Sequence, residues 1–451
     1  PVDLSTGLFL MRHTDFVLPG RVPLALTRIY RTNGAPGGPF GPGTSHPYHS
    51  LLLVESNLRT LLLPGGTRMA FPQQTDGTFR NRLDPAMRGT VLTETGGKAT
   101  LRWKDGSVWT FGTPVSGVAF LTTQTDRYGN AISFTRDSFQ NLTAINDSTG
   151  RQLLVTVDPN NRITAITDPL GRTVQYGYDT NGHLLTVTDP AGGITRYTYD
   201  TNHRLLTITD PRSTTYLTNE YDATGRVSRQ THSDGGVWTF AYTLTGSMVT
   251  QTVMTDPRGH ATTTRFNGQT YVLSTTDALG QTTTATRDPA ANQVLATTDP
   301  LGRITRYTYD SAGNRLTTTD PLGNVTTLTY NPTFHQVASL TDPLGNLTTF
   351  EYDATGNLTA LTDPVQNTQP IATRVKTTLT YNAYGQPLTV TDPLGHTTTL
   401  TYDSVGNLTT SQDPLGHTSQ RTYDFASRLL SQTDPLGNAT RFSYDLLNRL
   451  V

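Results

Sequence analysis

From about residue 121 to Val451 the chain restates one unit of about 21–22 residues, built around Thr-Asp-Pro-Leu-Gly and a second element, Tyr-Asp. The aspartate of the first element recurs at Asp168, Asp189, Asp210, Asp256, Asp277, Asp299, Asp320, Asp342, Asp363, Asp392, Asp413 and Asp434. A period of this length specifies an array in which each unit packs on its neighbours, rather than a globule with one cleft. No unit can bury a core alone, so the repeat overrides any domain count taken from length.

Composition says what the unit is made of. Hydrophobic residues are 34% of the chain, charged residues 15%, and the net charge is -1. So polar a chain invites a disordered reading, but 20 Tyr and 15 Phe at fixed places in the units argue against it. Of the 35 acidic residues only Glu55, Glu94, Glu220 and Glu351 are glutamate, and lysine occurs only at Lys98, Lys104 and Lys376. Helix-forming Glu and Lys are scarce, while turn-forming Asp, 40 Gly and 27 Pro abound. The expectation is an all-β chain with almost no helix. Without cysteine, neither a disulfide nor a thiolate metal site can form. No apolar run has the length of a membrane span. The absence of a signal peptide before Pro1, and the stop at Leu450-Val451 partway into a unit, suggest a segment of a longer protein.

The unit from Asp299 to Tyr309 shows how folding is written. Asp at the first position, Pro at the second and Gly at the fourth specify a type I turn. Arg303 to Tyr309 reads as a strand with Tyr307 and Tyr309 on one face. A second turn, Asp310 to Asn314, offers Gly313 for positive φ, and Arg315 to Thr319 is the returning strand. The same spaced pair recurs as Tyr176 and Tyr178, Tyr197 and Tyr199, Leu328 and Tyr330, Phe350 and Tyr352, Leu400 and Tyr402, and Phe442 and Tyr444. The Thr-rich alternation predicts a sheet with one packed and one wet face.

Residues 1–120 lack the period and read as an antiparallel β region that caps the array. Turns are expected at Pro64-Gly65-Gly66, Asp76-Gly77 and Asp105-Gly106, the last closing a hairpin between Trp103 and Trp109. The Gly/Pro-rich stretch Asn33–Gly43 reads as an exposed loop. Within the array, residues 210–256 hold two units with a weak marker at Asp234-Gly235-Gly236. The long step from Asp363 to Asp392 places an enlarged loop near Val365–Val375.

Chemistry is sparse. Paired carboxylates could serve glycoside hydrolysis, but an aspartate repeated at every turn has a structural reason to be there. Calcium-binding nonapeptides need Gly-Gly-x-Gly-x-Asp, and neither that pattern nor an EF-hand loop occurs. His260, His396 and His417 follow the turn glycine, a slot filled elsewhere by Arg172, Arg303, Asn324, Asn346 or Gln281. They read as substitutions, not ligands. His46 and His49 are the one unrepeated pair and have no acidic partner nearby in sequence. No P-loop, dinucleotide fingerprint, zincin or nucleophile-elbow motif is present, and no basic patch marks nucleic acid. The reading is therefore non-enzymatic, with no catalytic, cofactor-binding or metal residues and no cofactor. The turn aspartates are expected to matter for folding instead.

The in-phase pairs Tyr178-Asp179, Tyr199-Asp200, Tyr221-Asp222, Tyr309-Asp310, Tyr352-Asp353, Tyr402-Asp403, Tyr423-Asp424 and Tyr444-Asp445 resemble the YD repeats of the bacterial Rhs family, over about 121–451. Phe266-Asn267, Tyr330-Asn331 and Tyr381-Asn382 are degenerate copies. The start, Pro1 to Gly7 and Leu24 to Arg31, is similar to the segment that precedes the repeats in many Rhs proteins. The resemblance implies a spiral of antiparallel hairpins forming a curved sheet or hollow shell, akin to those of Tc toxins and teneurins. It also implies a secreted or cell-surface setting, the protein's own C-terminal toxin domain as partner, and a secretion or delivery component. About 15 units look few for enclosing a folded toxin. The competing reading is an adhesion or carbohydrate-binding module, with glycans held on a broad wet sheet by Thr, Asn and Tyr. No membrane span and no nucleic-acid partner are expected.

Overall fold

The computed structural model describes every residue except Asn33, Ala35 and Pro36. Strands hold 51% of the chain and helix 2%, and 36 of the strands form one long antiparallel sheet that does not close end to end. A separate three-stranded sheet is built from Leu10–Leu18, Leu24–Arg31 and Thr44–Ser45. The long sheet starts with a branch. Strand Val118–Thr125 pairs with Val108–Phe111 and Ala131–Arg136, and also with Leu51–Val54. Isolated bridges from Phe79 to Gln73 and Leu92 complete a small ring of strands between Leu51 and Thr125. The ring is packed with Leu52, Leu61, Phe71, Leu92, Leu101, Phe111 and Leu121, each fully buried. From it the hairpin array runs on, each strand pairing with the next. Strand Val118–Thr125 crosses residue 120, so the sheet is continuous there. The long step after Asp363 holds a single helical turn, Pro364–Asn367, and a 3-10 turn, Ile371–Thr373.

Both turn types have one geometry. At Asp299 the main-chain carbonyl accepts from Gly302 N–H at 2.9 Å, and Asp299 N–H donates to the Arg303 carbonyl at 3.0 Å. Asp310, Gly313 and Asn314 repeat the pattern, and Gly302 and Gly313 have φ of 78° and 79°. This is a type I turn followed by a left-handed residue, which suits a three-residue hairpin loop. The carboxylate locks it. Asp299 Oδ1 accepts from Leu301 and Arg303 N–H at 3.0 and 2.9 Å, while Oδ2 takes Arg303 Nε at 2.6 Å. Asn324 and His396 fill the Arg303 slot in their units, reaching Asp320 Oδ2 at 2.8 Å and Asp392 Oδ2 at 2.9 Å. The slot that looks variable in sequence is thus a partner position for the aspartate. Some turns keep the left-handed residue without glycine, as at Asn161 (φ 63°), Thr270 (φ 69°) and Ser427 (φ 63°).

A second regularity was not legible in the repeat. The Tyr-Asp hairpins carry a register shift at the tyrosine. Thr308 faces Thr317 but Tyr309 faces Arg315, leaving Leu316 as the extra residue. The same shift occurs at Tyr178, Tyr199, Tyr352 and Tyr402. Bulges bend a strand and increase its twist, so a bulge per unit adds curvature at each step. The tyrosine hydroxyl then ties units together. It donates to the carbonyl at the start of the preceding unit's returning strand: Tyr199 to Leu184 at 3.0 Å, Tyr309 to Val294 at 2.9 Å, Tyr352 to Val337 at 2.7 Å and Tyr402 to Pro387 at 2.9 Å. Where Arg287 replaces tyrosine, its Nε donates to Val272 O at 2.8 Å in the same way. This neighbour bond explains why the ring persists while its companion varies between Tyr, Leu and Phe.

The expected exposed loop at Asn33–Gly43 is corrected in part. Asn33, Ala35 and Pro36 lie outside the described residues, but Phe40 is fully buried, its ring 4.8 Å from that of Tyr176. Phe40 is one large apolar ring among glycines and prolines, and burying it outweighs the polar character of its neighbours.

Thr270→Gly should stabilise the chain by about 1 kcal/mol, because a β-branched residue is strained at positive φ, with urea denaturation as the check. Asp147→Ala should be far more damaging. Its Oδ2 holds Arg151 Nε at 2.8 Å, and Arg151 is fully buried. Losing that partner should cost roughly 3–5 kcal/mol, whereas the same change at the exposed Asp320 should be mild.

Acid should unfold the array. At Asp147, Asp158, Asp200 and Asp222 burial alone would raise the carboxyl pKa. Side-chain and backbone donors outweigh it and hold each below the usual range. A group lowered on folding stabilises the fold above its unfolded pKa, and that contribution fades as pH falls through the folded value. Denaturation midpoints should therefore be flat near neutrality and fall below about pH 4. Midpoints that hold steady down to about pH 2 would contradict the role given to these carboxylates.

Candidate functional surface

The hairpins give the sheet two rims, one of Tyr-Asp turns and one of Asp-Pro-Leu-Gly turns. The Tyr-Asp rim is docked at points along its length. Early in the array it meets the N-terminal segment: Ile163 N–H donates to Pro39 O at 2.7 Å, Leu205 N–H to Tyr30 Oη at 2.9 Å and Val227 N–H to Gly7 O at 2.8 Å. Further on it meets other turns. Lys104 Nζ donates to Ala312 O at 3.2 Å and Arg88 Nη2 to Ser311 O at 3.0 Å. Asn130 Nδ2 donates to Tyr384 O at 3.1 Å, Arg151 Nη1 to Ser427 Oγ at 2.8 Å and Arg172 Nη1 to Leu446 O at 3.3 Å. The last three contacts join residues 254, 276 and 274 positions apart. They seat Tyr-Asp-type turns of a later lap on the opposite-rim turns of an earlier one, so the sheet coils over itself.

The Asp-Pro-Leu-Gly rim is different. Leu170 is half-buried where the later lap covers it. In uncovered turns the equivalent leucine stands in solvent, as at Leu301, Leu322, Leu344, Leu394, Leu415 and Leu436, which are 77–88% exposed.

One face of the early units is covered by the N-terminal segment through a buried polar cluster. Arg28 Nε and Nη2 hold Asp15 Oδ2 and Oδ1 at 2.7 and 2.9 Å. Arg28 Nη1 donates to Tyr197 Oη at 3.0 Å, and Tyr176 Oη donates to Asp15 Oδ2 at 2.8 Å. Burial would lower the Arg28 pKa, but Asp15 together with Tyr197 and Tyr176 outweighs it and holds it well above its ordinary value. Burial and the same carboxylate raise that of Tyr176. Nothing in the sequence marked Asp15 or Arg28, because neither belongs to the repeat. In later units the matching positions Tyr307, Leu328, Phe350 and Leu400 are only half-buried, so there the face is left open.

The structure gives the histidines distinct surroundings. His260, His396 and His417 turn Nδ1 to Asp256, Asp392 and Asp413 at 3.1, 2.9 and 2.8 Å. His46 and His49 come together, ring centroids 5.9 Å apart, with His46 buried and His49 half-buried. They lie near Arg136 rather than a carboxylate. The repeat hid one chain of contacts from sequence reading: Asp179 Oδ2 to His183 Nδ1 at 2.8 Å, then His183 Nε2 to His203 Nδ1 at 2.9 Å. Among the described residues no Ser or Thr hydroxyl hydrogen-bonds a histidine ring. No group of three or more His, Asp or Glu among them could hold a metal ion. Among the described residues no helix is long and apolar enough to cross a membrane.

Comparison with known proteins places this geometry. The RHS Repeat family matches residues 157–194, 178–215, 287–325, 330–368, 381–418 and 423–451. A domain of unknown function, DUF6531, matches residues 1–71. No curated protein sequence matches. Among solved structures, the crystal structure of TcdB2-TccC3-Cdc42 aligns over 98% of this chain with a TM-score of 0.53 at 14% identity. TcdB2-TccC3 without its hypervariable C-terminal region aligns equally well, at 0.53 and 14%. The chain spans 29% of the length of each of those chains, and at such identity the likeness is one of fold. With the turn and tyrosine pattern recurring across the array, the repeat matches identify this chain as a member of the Rhs family.

Proposed function

We propose that this chain forms part of the wall of a β-shell that encloses and delivers a C-terminal toxin domain of the same protein. The observation that carries the proposal is the change along one sheet face. In early units it is sealed by the N-terminal segment through Asp15, Arg28, Tyr176 and Tyr197. In later units it is open and lined by half-buried rings and threonines. A face of that kind can border a water-filled space holding a polar cargo, and the lap contacts give the wall its curl. In this reading residues 1–120 cap the start of the spiral and 121–451 are the wall. The name TcdB2-TccC3 without hypervariable C-terminal region belongs to a protein of the same fold in which a variable C-terminal part is separable, which supports a cargo at that end. The wall itself carries out no reaction: the repeated carboxylates are spent on turns. The setting is a secreted or surface-delivered bacterial system.

Small-angle scattering on the purified chain tests the wall. A curved shell with a central region of solvent density is expected, and a solid rod would overturn the proposal. In the full-length gene product, a protease should spare the C-terminal domain until acid below about pH 4 opens the shell. Equal cleavage before and after acid treatment would count against enclosure. Binding to a glycan array through the open face, without any enclosed space, would favour the adhesion reading instead.

A further inference from the structure

A cavity of about 340 Å³ lies between the Asp137–Asn141 and Asp158–Arg162 turns and the segment that carries His46 and His49. Its lining includes Arg136, His46, His49, Phe120, Asn160 and Asn161. Arg136 lies over the ring of Phe120 at 5.1 Å. Its Nη1 donates to Gln140 O at 3.0 Å, and its Nη2 to Tyr48 O at 3.2 Å and Leu121 O at 3.5 Å. Its Nε is buried and has no partner among the described residues. Among the described residues it pairs with no carboxylate. The nearest in sequence, Asp137, spends its oxygens on Phe139 N–H, Asn141 N–H and Asn141 Nδ2. The Nδ1 of His46, a residue only 1% exposed, likewise has no partner among the described residues.

A half-buried guanidinium with a buried, unpartnered Nε and no counter-charge is costly, and so is a buried ring nitrogen without a partner. Elsewhere in this chain buried arginines are paired, Arg28 with Asp15 and Arg151 with Asp147. The cavity combines a fixed positive charge, spare donors and room for a few heavy atoms. We propose that it binds a small oxyanion, sulfate, phosphate or carboxylate, which supplies the missing counter-charge to Arg136 and accepts from His46. Without the anion, burial, His49 and Arg136 hold the His46 pKa well below its ordinary value, and burial and Arg136 push that of His49 down to about 4. Burial lowers Arg136 itself to about 10, with Asp137 opposing, so it stays charged at neutral pH. A bound anion favours the protonated rings, so binding should tighten as pH falls. The site is independent of the shell reading and would survive its failure.

The probe is sulfate, whose charge is constant from mild acid to neutral pH. Imidazole NMR signals of His46 and His49 in the intact chain report occupancy directly, separating the site from the general stabilisation that sulfate gives proteins. Saturable shifts of both rings are expected with sulfate and absent with sodium chloride at equal ionic strength. Affinity should rise severalfold between about pH 7.5 and pH 5.5. Acetate in parallel tells a tetrahedral from a planar preference; saturation by either supports the site. Arg136→Gln should weaken binding at least about tenfold, the order of one lost charged hydrogen bond. Because Arg136 also supports three carbonyls, His46→Gln, which leaves them in place, is the second variant and should weaken binding and flatten its pH dependence. Ring shifts that follow chloride as well as sulfate, or saturation unchanged in His46→Gln, would overturn the proposal.

Discussion

The turn carboxylate is the interaction on which the array depends. An open chain of hairpins has no global core to fix its register, so each turn must fix its own. An aspartate that takes two backbone N–H groups and one side-chain donor does this locally. Asp434 Oδ1 accepts from Leu436 and Asn438 N–H, both within 2.9 Å, and Oδ2 takes Asn438 Nδ2 at 2.8 Å. The same contacts occur in turns buried beneath a lap and in turns open to water. That independence from surroundings lets one sequence motif serve at every point of a wall whose environment changes along its length.

Above the turns, cohesion comes from the tyrosine hydroxyl and the strand ladder, each reaching only to the next unit. Hydrophobic burial is concentrated instead in the first half of the chain. Phe9, Leu24, Leu26, Tyr30, Phe40, Ile145, Ile166, Leu205 and Ile208 are nearly or fully buried, whereas the comparable faces beyond Thr282 hold few buried residues. The early part is a conventional core joined to the N-terminal segment, and the later part is a thin wall supported by its rims. Stability should be unevenly distributed, with local opening favoured where burial is least.

Much of this was legible in the sequence because it is local. Asp, Pro and Gly at fixed offsets specified the turns at Asp299 and Asp310, and the returning strand Arg315–Thr319 is the one the pattern indicated. The insertion after Asp363 fell where the spacing placed it. What was not legible depends on contacts across distance. The bulge at Tyr309 follows from the loop type and the ladder beyond it, not from any residue that names it. The Asp15–Arg28 cluster joins two residues that have no repeat to betray them. Phe40 was hidden among glycines. His46 and His49 stood out only as unrepeated, and their neighbour Arg136 sits far along the chain in a strand that otherwise looks ordinary.

The lap contacts carry one more consequence. Arg151 meets Ser427, and Arg172 meets Asn448, each 276 positions further on. Those two neighbouring turns of the lower lap meet two neighbouring turns of the upper lap in step, whereas Asn130 and Tyr384, one lower unit earlier, are only 254 positions apart. Length in such a wall is quantised. Adding or removing one whole hairpin keeps every later turn on its own rim. Adding a single strand would invert everything after it, turning the leucine rim to where the Tyr-Asp rim belongs. Extra residues can instead be held in a loop such as the one after Asp363, across which strands Leu358–Thr362 and Thr377–Tyr381 still pair.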